Sequence, residues 1–468
     1  MSADLRSGDA SVRPPGWKLA LALLSLALSL LLWLNGLVDS LNRPSVGNAL
    51  NRRQLELAVL AEPSLPSLLR PTLTAENPAE ALGKALTEAV EASSEAGQPA
   101  ASDLLLEQAL LLQRQGDPSQ ANALLDQLSQ GEDAVAAVAR AVLDRSRLEP
   151  ERAQQLSEAL PSGGLVRLWS CEALQGGALC QPAASQQRAT VQLLAITVLP
   201  VLLLILGCLL LLREGWQRWR GRAGAAPILI GPALSNLDAV LLVAGGFVVL
   251  GELLTPLLVN PLLTSLLGRL TSPGPLRQGL TVMGLYLALM LGPLVMLLLM
   301  LRGLGAAPVD GWLQFRWRPF STSLRRGLQG CLLVLPLVSL TGWLQGQLWG
   351  DPGGSNPLLE LVLNSHNLPA LACFALTAVV LAPLFEETIF RGVLLPVAAR
   401  QLGAAGGVAL SALVFAVAHL SLGELPPLLV LGLGLGWLRW TGGRLSSCVV
   451  MHALWNSLTF ANLVVLGW

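Results

Sequence analysis

The chain has 468 residues, 53% hydrophobic and 13% charged, with a mean hydropathy of +0.59. Soluble globular domains carry about 25% charged residues, so this composition excludes them and indicates a polytopic membrane protein. Its apolar runs are ~20 residues long and continuous, which excludes a transmembrane barrel built from ~10-residue alternating strands. Basic and acidic residues balance at 30 each, the pI is near 6.8 and no basic block occurs, so no nucleic-acid partner is expected. Thirteen tryptophans against a single tyrosine suit a protein that places Trp at the headgroup level.

In chain order, the first apolar run is Trp17 to Val38, with Arg6, Arg13 and Lys18 at or before its start. Its core exceeds a signal-peptide apolar region of ~7–15 residues and no small-residue cleavage site follows, so residues 1–38 read as an uncleaved anchor helix. A polar region, 39–188, comes next. Within it the Ala and Leu spacing predicts helices at Asn77–Ala92, Ala101–Gln115, Pro118–Leu128 and Asp133–Asp144, with Gly116-Asp117-Pro118 as a break. The stretch Leu106–Leu128 resembles one tetratricopeptide hairpin. Further spans are predicted at 190–212, 237–259, 278–301, 327–347, 368–400, 404–421, 424–440 and 445–466.

The arginines orient these spans. Arg213, Arg218, Arg220 and Arg222 follow one span, Arg302, Arg316, Arg318, Arg325 and Arg326 another, and Arg400, Arg439 and Arg444 flank later turns. The loop Gly350–Pro369 has no Lys or Arg, whereas Arg269 and Arg277 interrupt the alternation. By the positive-inside bias the N-terminus is cytoplasmic and region 39–188 faces outward. The expected fold is therefore an all-α polytopic transmembrane helical bundle of about eight to nine spans. It carries an inserted extracytoplasmic α-helical domain at 39–188, accessory transmembrane helices at 189–326 and a core at 327–468. A disulfide between Cys171 and Cys180 fits an outward-facing domain, while the other four cysteines read as packing residues.

Chemistry concentrates in the last third. Glu386, Glu387 and Arg391 lie inside a strongly apolar stretch, where a charged group costs roughly 2.5–3.5 kcal/mol on insertion scales. Glu387 and Arg391 are spaced i,i+4 and share a helix face, while Glu386 is rotated ~100° away. Phe415 and His419, and His452 and Asn456, form two further i,i+4 pairs. Gly432, Gly434 and Gly436 lie between them and permit close helix approach. With turns near Gly403 and Gly442-Gly443, Glu386 and His419 fall ~24–26 Å above the cytoplasmic turn and His452 and Asn456 ~14–20 Å. With tilt, all four can share one layer. Taken singly, a Glu–Arg pair is more often structural, a membrane histidine often an interhelical hydrogen bond, and Asn456 helix glue. Glu252 reads as structural or interfacial for want of a partner, and His366 lies in a polar loop.

These residues resemble the type II CAAX prenyl endopeptidase family, also called CPBP or ABI, of intramembrane glutamic proteases. Glu386, Glu387 and Arg391 match its EExxxR motif, and Phe415 and His419 its FxxxH motif. Trp440-Thr441-Gly442 followed by His452 and Asn456 matches its third motif. The resemblance covers residues 327–468 and implies an intramembrane endopeptidase without metal or other cofactor. It implies that Glu386 and His419 activate a water, that His452 and Asn456 stabilise the oxyanion, and that Glu387 with Arg391 orients the site. The implied partners are a membrane protein or peptide substrate and the lipid bilayer, with region 39–188 open to a protein partner.

Rival readings come from the same residues. Two histidines and a glutamate could bind catalytic zinc, although the HExxH helix is missing. Intramembrane carboxylates and histidines also mark proton-coupled transporters. Part of the family acts as non-catalytic scaffolds or in bacteriocin self-immunity. The composition suggests a bacterial inner or plasma membrane, which argues against prenylated substrates.

Overall fold

The computed structural model describes residues 15–43, 46–74, 76–95, 99–144, 148–160, 164–175, 180, 182–222, 224, 226–349 and 354–467. Arg6, Arg13 and residues 350–353 of the arginine-free loop lie outside these. The principal elements are all helical, and no strand occurs among the described residues. They are α1 (Gly16–Ser40), α2 (Val46–Ala61), α3 (Pro78–Glu95), α4 (Ser102–Gln115), α5 (Pro118–Ser129), α6 (Ala134–Leu143), α7 (Pro150–Glu158) and α8 (Gly164–Gln175). After them come α9 (Pro182–Trp219), α10 (Asn236–Arg269), α11 (Pro275–Arg302), α12 (Phe320–Trp349), α13 (Pro357–Leu363), α14 (Leu368–Val417), α15 (Leu425–Gly442) and α16 (Leu445–Gly467).

Contacts divide the chain into two compact units. One comprises Met1–Arg43, Leu211–Gly354 and Asn367–Ser457; the other comprises Pro44–Leu210, Ser355–His366 and Leu458–Trp468. Seven helices, α1, α9, α10, α11, α12, α14 and α16, are long and apolar enough to cross a membrane. α15 is not in that set, and α14 contains the predicted turn, because Gly403 adopts φ 71° and breaks it. Only glycine takes that backbone conformation without strain.

In the second unit, local chemistry sets the helix boundaries. Gly116 at φ 85° ends α4, with Asp117 N–H donating to Leu112 O and Gly116 N–H to Gln113 O. That is the doubled hydrogen bond of a left-handed helix terminus. Asp117 then caps α5 by accepting from Gln120 N–H at 3.2 Å, with Pro118 at the first helical position. Asp133 caps α6 in the same way. Leu82 and Leu86, Ala121 and Leu125, and Val135, Val138 and Ala139 are buried at helical spacing, which is how these short amphipathic helices form a core. Cys171 and Cys180 are joined by a disulfide, with Cα atoms 5.8 Å apart.

A buried ionic group runs through this core. Arg52 donates to Glu56 and Glu107 at 2.8 and 3.0 Å, and Arg53 donates to Glu56 at 3.0 Å. Burial, and then the neighbouring Glu56 charge, push the Glu107 carboxyl up to about 8.

In the first unit, small residues let helices meet. Ala22, Ser25 and Ser29 form the buried stripe of α1, and the Ser29 hydroxyl donates to Ser25 O and Ala244 O at 2.8 and 3.1 Å. Leucines at 19, 21, 23, 24, 28, 30 and 31 of the same helix stay exposed, as a lipid-facing surface requires.

A raised carboxyl pKa means the folded state holds a proton that the unfolded state releases above the ordinary Glu range, so stability is lost as pH rises from there through about 8. Replacing Glu107 with Gln removes this loss. In detergent, the melting temperature of Glu107→Gln relative to wild type should rise between about pH 5 and pH 8. A pH-independent difference would mean that Glu107 ionises normally.

Candidate active site

Two proline-interrupted turns in α14 position the acidic pair. The backbone widens to i→i+5 hydrogen bonding over Leu376–Leu381 and again over Thr388–Leu394, on either side of Glu386 and Glu387. In that register the carbonyl of Ala378 would accept from residue 383 and that of Arg391 from residue 396, and both are prolines without an N–H. Side chains from elsewhere supply the missing donors. Asn456 Nδ2 donates to Ala378 O at 2.7 Å, and Arg439 Nε donates to Arg391 O at 3.3 Å. Arg439, in the last turn of α15, is fully buried and also donates to Ile230 O at 2.7 Å.

Glu387 and Arg391 form the expected i,i+4 pair, Nη1 to Oε1 at 2.8 Å, with both side chains at 0% exposure. Complete burial takes this charge pair out of water into the protein interior, where further partners are needed to offset its desolvation. Arg391 Nη2 donates to Gly432 O at 3.1 Å, and its guanidinium lies 4.4 Å over the Phe415 ring. Gly432 allows this approach, since a Cβ there would sit 3.0 Å from Ala412 Cα. His452 Nδ1 meets the same Glu387 oxygen at 2.9 Å. An ion-paired carboxylate only accepts, so Nδ1 carries the hydrogen and Nε2 is left for chemistry.

Glu386 is the more accessible carboxylate, at 15% against 0% for Glu387. Its Oε1 accepts from the Tyr286 hydroxyl at 3.2 Å. Its Oε2 has no hydrogen-bond partner and lies 3.9 Å from His452 Nε2. That separation is too long for a direct hydrogen bond and suits a bridging water. His419 joins the group less directly. Helix α14 ends at Val417, two residues earlier than the FxxxH pairing on one helix face implies. Even so, its Nδ1 meets Phe415 O at 2.8 Å, and its ring packs edge-on against Phe415, 4.7 Å between centroids. Phe415 also packs edge-on against His452, at 5.7 Å. Among the described residues no hydrogen bond or ion pair joins His419 to either glutamate.

The six residues expected from the sequence gather around Phe415 and the α14 turns, but Tyr286 is not among them and Glu252 is expected to have no partner. Tyr286 touches Glu386. Glu252, which seemed to lack a partner, accepts from Trp33 Nε1 at 3.3 Å and lies within electrostatic range of Glu386. The available signal was that Tyr286 is the chain's one tyrosine and sits mid-span. His366 belongs to the other unit, where burial, Arg167 and Arg53 depress its pKa. Among the described residues no group of three or more His, Cys, Asp or Glu side chains has an arrangement suited to a metal ion.

A helical multi-pass membrane protein with two carboxylates and two imidazoles in its interior is the class these features define. Residues 368–458, which contain all six predicted site residues, match the family model Rce1-like, type II CAAX prenyl endopeptidase Rce1-like. Residues 47–191 match a domain of unknown function, DUF8675. No curated protein and no solved structure matches the chain. The Rce1-like domain supports the CPBP resemblance, and with it an intramembrane endopeptidase of the CAAX-protease type in general.

Removing one partner of a buried ion pair costs about 3–5 kcal/mol, because the other charge stays buried. Arg391→Met should therefore lower unfolding free energy by about that amount. Arg439→Met, which orphans carbonyls rather than a charge, should cost about 1–3 kcal/mol. Unfolding of both variants in mixed micelles measures the difference, and equal losses would mean that the Glu387–Arg391 pair is not the dominant buried charge.

Proposed function

We propose that the protein is a glutamic intramembrane endopeptidase acting without metal, in which Glu386 is the general base. The single observation that carries this reading is the unpartnered Oε2 of Glu386 facing His452 Nε2 at 3.9 Å. A water held between them has an acceptor for its proton on one side and an imidazole on the other. Glu387, ion-paired to Arg391, holds His452 by Nδ1 and so orients its Nε2 toward the reacting groups. His419, tied through Nδ1 to Phe415 O, keeps Nε2 as a second group for the water or the leaving amine. One amide hydrogen of Asn456 is taken by Ala378 O; the other is the one an oxyanion would use.

On this reading the substrate is a membrane protein or peptide, the N-terminus is cytoplasmic and the host membrane is a bacterial inner or plasma membrane. Region 39–188 would be an extracytoplasmic helical domain that engages a protein partner or the substrate. A proton-coupled transporter is the second reading, favoured by Glu252 lying within range of Glu386.

General bases contribute about 10²–10⁴-fold. Glu386→Gln and His452→Ala should each lose about that much cleavage of membrane-anchored peptides while still inserting and folding. Wild-type activity should survive chelation. Full activity in Glu386→Gln would remove its assigned role, and loss on chelation would restore zinc. Glu386-dependent proton or solute uptake in vesicles without any proteolysis would favour the transporter.

A further inference from the structure

Two side chains outside residues 368–458, Tyr286 and Trp33, each donate to a carboxylate: Tyr286 to Glu386 inside that range and Trp33 to Glu252 outside it. Tyr286 on α11 gives its hydroxyl hydrogen to Glu386 Oε1 at 3.2 Å, and its ring stands edge-on to Phe385, 6.4 Å between centroids at 90°. Trp33 on α1 gives its indole hydrogen to Glu252 Oε2 on α10 at 3.3 Å. Glu252 is within electrostatic range of both Tyr286 and Glu386.

A phenol has one hydrogen to give. Tyr286 gives it to Glu386 Oε1, while Glu252 accepts from Trp33. Here the division of donors leaves Glu386 with one oxygen pinned and the other aimed at His452.

We infer that Tyr286 is a positioning residue for the hydrolytic reaction, fixing Oε1 of Glu386 so that Oε2 faces the water site. The inference rests on the glutamic-protease reading above. It places part of the catalytic geometry on α11, outside residues 368–458. The side chains against Glu386 are Tyr286 from α11 and, at 3.9 Å, His452 from α16.

Tyr286→Phe keeps the ring against Phe385 and removes only the hydroxyl. Hydrogen bonds to charged groups carry enough free energy to change a rate about 10- to 100-fold. With full-length enzyme in detergent and internally quenched membrane-anchored peptides, Tyr286→Phe should lower kcat by about that factor, with KM and melting temperature unchanged. The double variant Tyr286→Phe/Glu386→Gln should be no slower than Glu386→Gln alone, the non-additive result expected when one residue acts through the other. Wild-type kcat in Tyr286→Phe, a change confined to KM, or additive losses in the double variant would each overturn the inference. The glutamic reading would stand in all three cases, provided Glu386→Gln is inactive. Absence of cleavage by the wild type across the peptides would overturn that reading and this inference with it.

Discussion

Everything in the membrane core is arranged around one carboxylate oxygen that cannot be left alone. Glu387 Oε1 takes hydrogen bonds from Arg391 and from His452, and neither Glu387 nor Arg391 has any exposed surface. The mutual attraction of such a pair only offsets its desolvation if geometry and secondary partners are good. That requirement propagates outward. Arg391 needs Gly432 O on α15 and the face of Phe415, so α15 must approach closely enough to require glycine there. His452 must come from α16 to the same oxygen. Satisfying one buried charge thus specifies which helices touch and at which residues.

The backbone imposes a second constraint of the same kind. Each widened turn in α14 ends against a proline, and each leaves a carbonyl without a donor in a medium where water cannot serve it. Asn456 and Arg439 fill these two positions from different helices. The acidic pair sits between the two widened turns, so side chains that look unrelated to it, one amide and one guanidinium, hold its backbone in register. Wide turns of this type recur at functional sites because they turn side chains to directions that a regular helix does not offer. Here the adjacent glutamates have different surroundings: Glu387 is sealed into an ion pair, and the partly exposed Glu386 accepts from Tyr286.

Buried charge is handled differently elsewhere in the chain. Arg52, Arg53, Glu56 and Glu107 share one hydrogen-bonded network in which burial and the Glu56 charge push the Glu107 carboxyl up to about 8, whereas the buried Glu387 is held by Arg391 and His452.

Local rules alone specify a good deal of this protein. Composition and run length determine that it is helical and membrane-spanning. Gly116-Asp117-Pro118 and Gly403 determine where helices stop, because left-handed glycines and proline at a first helical turn act within a few residues. The i,i+4 pairing of Glu387 with Arg391 follows from helix pitch, and all six candidate site residues could be named from motif spacing. Tertiary structure decided the rest. Tyr286 lies 100 residues before Glu386, and Trp33 lies 219 before Glu252, and no periodicity announces either pairing. Arg439 reads as a topogenic flank until the carbonyl orphaned by Pro396 is placed beside it. The physical reason is common to all three. A donor's partner within one helix is set by pitch, whereas a partner on another helix is set by whichever buried group is still unsatisfied once the helices have packed.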